Sequence, residues 1–139
     1  MFGLFDISTS GLVAQRVRLE TISANIANQE TLLDSQGRFD PWKRRSVVLA
    51  AGDSEIGRPH GGRGELGVHV AEIRESDSFD LRFQPGHPYA DERGYVRYPD
   101  VDPVLEQIDA LDAVRAYEAN IAAVEATKSM FASALAILA

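Results

Sequence analysis

Residues 102–138 read DPVLEQIDALDAVRAYEANIAAVEATKSMFASALAIL, and the reading of this run decides the fold. Asp102 is a good helix cap, and Pro103 suits the first helical position, where a missing N–H costs nothing. No proline or glycine follows. On a heptad frame one seam position holds Gln107, Val114, Ile121, Lys128 and Leu135, and the other holds Ala110, Tyr117, Val124, Phe131 and Leu138. Only Gln107 and Lys128 interrupt the apolar pattern, which predicts one continuous amphipathic helix. From Pro103 to Leu138 it would be about 54 Å long at about 1.5 Å per residue, whereas a compact domain of this size has a radius of gyration of about 14 Å. The expected molecule is elongated, with apolar surface left over for neighbours.

A second helical pattern fills residues 1–31, where Leu12, Leu19 and Ile26 recur at heptad spacing with Ile22 between the last two. The tetrapeptide ANIA occurs in both helices, as residues 24–27 and 119–122. Asparagine is a poor helix former because its amide competes for backbone groups, so Asn25 and Asn120 need a reason from packing or recognition. On the heptad frames they flank the seam positions of Ile26 and Ile121, where an amide can bond across to a neighbour and fix register. Leu12, Leu19, Ile22 and Ile26 are expected to pack against Val114, Ile121, Val124, Phe131 and Leu138, within the subunit and between neighbours.

Between the helices, residues 32–101 hold most of the eleven glycines and every proline except Pro103. Short alternating runs at residues 68–73, 79–83 and 94–98 predict β-strands and hairpins, and the glycine- and charge-rich stretch 53–67 predicts a mobile loop. The fold class is therefore α+β: long N- and C-terminal helices pairing in a coiled-coil-like manner, with a small β-hairpin-rich middle. Its parts are residues 1–31, 32–101 and 102–139.

The chain has 139 residues and a formal net charge of −7, with its basic residues dispersed, so nucleic acid and anionic membrane are poor partners. It has no cysteine, which excludes disulfides and thiolate metal sites. The N-terminus lacks the basic and apolar regions of a cleavable secretory signal, and the apolar run at residues 131–139 is too short to span a bilayer. Gly62, Gly64 and Gly67 match a dinucleotide-binding spacing, but a strand pattern follows where that motif needs a helix. His60, His69 and His87 lack the pairing of helix-borne metal sites. Asp100 and Asp102 read as negative charge placed at a helix start, and Lys43, Arg44 and Arg45 as a solvated strand edge. No catalytic, metal or cofactor-binding residue emerges, and neither a cofactor nor a small-molecule substrate is expected.

Residues 23–31, SANIANQET, resemble the signature that ends the first helix of flagellar rod, hook and hook-associated axial proteins. Residues 115–121, RAYEANI, continuing to Lys128-Ser129-Met130, resemble that family's C-terminal motif. PGHPYAD at 85–91, GYVRYPDVD at 94–102 and PWKRRSVV at 41–48 are similar to segments of its proximal-rod members, although Asp100 stands where the family usually has asparagine. The resemblance implies a structural subunit of the proximal rod that polymerises helically and transmits torque. It implies partners in further copies, other rod subunits, the membrane-supramembrane ring and the flagellar type III export apparatus. It also implies a place in the basal body within the cell envelope, reached without cleavage of a signal. The assembly residues expected are Leu12, Leu19, Ile22, Asn25, Ile26, Asn28, Val114, Tyr117, Asn120, Ile121, Val124, Phe131 and Leu138. A soluble coiled-coil adaptor or export chaperone would share the helices without needing both terminal motifs.

Overall fold

A computed structural model of the chain describes residues 3–52 and 67–138, with the side chains of residues 3, 4 and 138 excepted. The loop expected over 53–67, except for Gly67, and with it His60, Gly62 and Gly64, lies outside the described residues. The elements in chain order are α1 (Gly3–Ala27), β1 (Arg45–Ala51), β2 (Val68–Glu75), β3 (Phe79–Phe83), β4 (Tyr95–Pro99) and α2 (Pro103–Leu138). The class is α+β, as the periodicities require.

Both helices have definite ends. Asp102 Oδ1 accepts the Val104 N–H at 2.8 Å and the Leu105 N–H at 3.3 Å, which makes it the cap of α2 with Pro103 at the first position. Asp100 takes no part in the cap. Its carboxylate instead accepts the Ser78 hydroxyl at 2.6 Å and ties the β2–β3 link to the end of β4. At the end of α1, Asn28 folds its amide back to Ala24 O, and its Oδ1 accepts the Thr31 hydroxyl. The chain then turns through a small hairpin in which Leu33 bridges Phe39.

The β region is two separate two-stranded antiparallel sheets. β1 pairs with β2 from Arg45 opposite Glu75 to Ala51 opposite Val68, with an irregularity between Val48 and Leu49 that leaves Ala71 as the extra residue. β3 pairs with β4, Phe83 facing Tyr95. Val96 and Pro99 are fully buried, whereas Leu81, Phe83 and Tyr95 are exposed on the same sheet.

The β1–β2 hairpin lies along α1. At one end Asn25 holds the backbone of Arg45, and at the other Ser10 Oγ accepts the Val68 N–H at 3.1 Å. The second junction depends on glycine: Gly67 has φ of 102°, and a Cβ there would lie 2.7 Å from Ser10 Oγ. Any side chain would be strained by the backbone and would push the Ser10 hydroxyl off its bond to Val68.

α1 and α2 run antiparallel. Phe5 stacks on Phe131 with ring centroids 5.5 Å apart, Gly11 meets Asn120, Arg18 reaches Asp109 and Asn25 reaches Glu106. Gly11, Arg18 and Asn25 are at heptad spacing, so one line along α1 carries the contact. That line is displaced by one residue from the expected one. Leu12, Leu19 and Ile26 follow it by one position and are only half-buried, and on α2 Val114 and Ile121 are 38% and 39% exposed. The buried positions just before them are Ala113 and, half-buried, Asn120. The displacement has a physical reason. The helices approach most closely through small and polar residues, while Ile22 and the row Ala110, Tyr117, Val124 and Phe131 keep their expected burial and Val114 and Ile121 turn outward.

Candidate functional site

The densest polar chemistry among the described residues gathers where α1, β1 and the start of α2 meet. Asn25 and Glu106 are each 1% exposed. The Asn25 amide nitrogen donates to Arg45 O at 2.7 Å and to Glu106 Oε2 at 3.2 Å, while its Oδ1 accepts the Arg45 N–H at 2.9 Å and, at 3.4 Å, the Trp42 indole N–H. Asn25 thus pairs with Arg45 as a neighbouring strand would. Glu106 needs a counter-charge to remain buried, and Arg44 Nε supplies it at 2.7 Å from Oε1. Arg44 and Arg18 both extend to Asp109, which adds a more exposed outer pair.

The basic run is therefore not a solvated strand edge, as its composition suggests. Arg44 turns inward to Glu106, Arg45 lies over Trp42 with its guanidinium carbon 4.3 Å from the ring centroid, and Lys43 bonds Asp77 at 2.6 Å. The hydrogen bond to Asp77, with that carboxylate's charge, raises the Lys43 pKa above its ordinary value. In the adjoining turn the Arg38 backbone N–H, then its guanidinium, lowers the pKa of Asp34. His69 Nδ1 lies 2.9 Å from Gly52 O, and His87 Nδ1 accepts the Tyr89 N–H.

The two asparagines do different work. Asn120 back-bonds to Ala116 O at 2.9 Å, and its amide packs on Gly11, where a Cβ would sit 2.9 Å from Oδ1. Of the other residues nominated from the sequence, Ile22 is buried, and Leu12, Leu19, Ile26, Asn28, Tyr117, Val124 and Phe131 are half-buried. Val114 and Ile121 are exposed, and the Leu138 side chain lies outside the described residues. Exposed aliphatic groups collect at both ends of α2: Val104, Leu105, Ile108 and Leu111 at its start, and Met130, Leu135 and Ile137 at its finish, the last 85% exposed. Sequence reading missed Glu106, Arg44, Asp109 and Arg18. Glu106 looks like an ordinary first-turn acid of a helix, and its partner Arg44 lies 62 residues away.

The SANIANQET stretch that resembles the flagellar axial signature closes the first of two terminal helices clasped to a β insert. A family described as "Flagella basal body rod protein" matches residues 5–31, and one described as "Flagellar basal body rod FlgEFG protein C-terminal" matches residues 92–137. The flagellar basal-body rod protein FlgC of Aquifex aeolicus is 44% identical over 131 residues, spanning 94% of this chain and 92% of the relative. The FlgC of Bacillus subtilis is 39% identical over 145 residues (98% and 97%), and that of Escherichia coli O6:H1 is 35% identical over 138 (99% and 97%). The chain belongs to the flagellar basal-body rod protein family and is FlgC-like.

Proposed function

We propose that this chain is a structural, non-catalytic subunit of the proximal rod, polymerising helically with copies of itself and with other rod subunits into the shaft that transmits torque from the membrane-supramembrane ring toward the hook. On this reading it leaves the cytoplasm through the flagellar type III apparatus without losing a signal peptide and works in the periplasmic part of the basal body. Residues 1–31 and 102–139 are its assembly helices, and residues 32–101 supply outer contacts.

The single observation that carries this reading is the aliphatic surface of α2. Val114 and Ile121 flank the α1 contact, and Leu135 continues their row beyond it, all three exposed. In the assembled rod these residues, with Leu12, Leu19 and Ile26, extend the helix pair into a coiled-coil-like array by packing on neighbouring subunits. Fully burying one aliphatic side chain contributes about 1.5–3 kcal/mol, against about 0–1 kcal/mol for an exposed ion pair. Ile121→Ala is therefore expected to weaken pelleting of assembled subunits, and swarming of a complemented deletion strain, more than Arg115→Ala does. The reverse order, or a particle that stays a small oligomer at every concentration by light scattering, would favour the adaptor or chaperone instead.

A further inference from the structure

We infer that Asn25, with Glu106 and Arg44, is a register key: it selects one antiparallel alignment of α1 on α2 and thereby fixes the length of α2 that projects past α1. The seam alone does not choose. Ala110, Tyr117, Val124 and Phe131 recur at heptad spacing along α2, as Gly11, Arg18 and Asn25 do along α1, so a slip of one heptad restores a similar pattern of packing. Apolar burial even favours a slip toward the C-terminus, because α1 would then reach over the exposed Leu135.

Hydrogen bonding opposes that slip. In the observed register Asn25 meets Glu106 and Gly11 meets Asn120. One heptad further on, Asn25 would face Ala113 and Gly11 would face Thr127. Glu106, 1% exposed, would lose its Asn25 donor and also Arg44, because Arg44 is carried on the backbone that Asn25 holds at Arg45. The slip forfeits both charge-assisted bonds to Glu106 and carries the Asn25 amide and the Arg44 guanidinium onto apolar Ala113, a loss that rejects the alignment. The Gly11–Asn120 pair defines the same register from the opposite half of the seam, since a side chain brought onto Asn120 in place of Gly11 would collide with it. This alignment is a property of the single chain and does not depend on the rod reading.

The absence of cysteine makes the register directly readable. Phe5→Cys with Phe131→Cys reports the observed alignment, and Leu12→Cys with Phe131→Cys reports the slipped one. In dilute chain with Asn25, Arg44 and Glu106 intact, a thiol-to-thiol cross-linker spanning about 8 Å, needed because stacked rings reach further than a disulfide does, should close the first pair and leave the second open. With Asn25→Leu and Glu106→Leu added, which replaces the buried polar contact by apolar packing, helical circular dichroism should persist and the 12–131 cross-link should rise about tenfold relative to the parent. Asn25→Ala, carried through both cysteine pairs, reads the same result should the leucine variant lose its helical signal. A helical variant of either kind that still closes only the 5–131 pair overturns the inference, as does a parent chain that closes both.

Discussion

The same residue type in the same tetrapeptide carries two unequal roles, and the inequality is measurable. Asn25 satisfies both backbone groups of Arg45 and a buried carboxylate, so Asn25→Ala leaves a donor and an acceptor orphaned at once. Each buried group left unpaired costs about 1–3 kcal/mol, and urea unfolding of the isolated chain should show a loss of about 2–4 kcal/mol. Asn120 bonds only to a carbonyl in its own helix, and alanine is the better helix former. Asn120→Ala should therefore change the same transition by less than about 0.7 kcal/mol. Equal losses at the two sites would contradict the division of roles. Arg44→Ala belongs with Asn25→Ala: it strands Glu106, and removing one partner of a buried pair is typically costly by about 3–5 kcal/mol, an upper bound here because Arg44 is about a third exposed.

At the scale of the element, the helix pair is built on close approach rather than on large apolar knobs. Gly11 is the narrow point: alanine there gains about 1 kcal/mol of helix propensity but places a methyl 2.9 Å from Asn120 Oδ1. Overpacking of this kind costs about 1–3 kcal/mol. Gly11→Ala is therefore expected to destabilise alone and to stabilise in an Asn120→Ala background, and a double-mutant cycle by thermal melting checks the change of sign. Additivity would mean that the two side chains do not interact.

That narrow point also explains what was legible in the sequence. Helix periodicity, the Asp102 cap and the alternation of residues 68–73 and 79–83 are local properties, and the elements lie where those signals put them. The facing line of α1 lies one residue before Leu12, Leu19 and Ile26, and on α2 the row of Val114 and Ile121 is exposed while that of Tyr117, Val124 and Phe131 is half-buried. The reason is that hydrophobic periodicity does not separate a face that packs within the chain from one left on its surface. In a chain that leaves aliphatic groups exposed, the intramolecular contact and the aliphatic row diverge. The clasp was illegible for a different reason: Asn25, Arg44 and Glu106 come from three segments, and each alone has an ordinary local explanation.

At the scale of the whole molecule, α2 outlasts its partner among the described residues. α1 begins at Gly3 and meets α2 near that end through Phe5 on Phe131, whereas α2 continues to Leu138. The continuation carries no charged residue, and Leu135 and Ile137 are exposed on it. A surface segment of this kind adds little to the stability of the isolated chain, because its side chains are already in water. If it is an assembly element, its removal should separate folding from function. A chain ending at Phe131 is expected to keep the melting temperature of the parent within about 2–4 °C, the shift that about 1 kcal/mol produces in a domain near this size. It should nevertheless fail to pellet with parent subunits and fail to restore swarming to a deletion strain. A truncated chain that melts normally and still builds a working rod would remove the overhang from the assembly surface and leave Val114 and Ile121 to carry it.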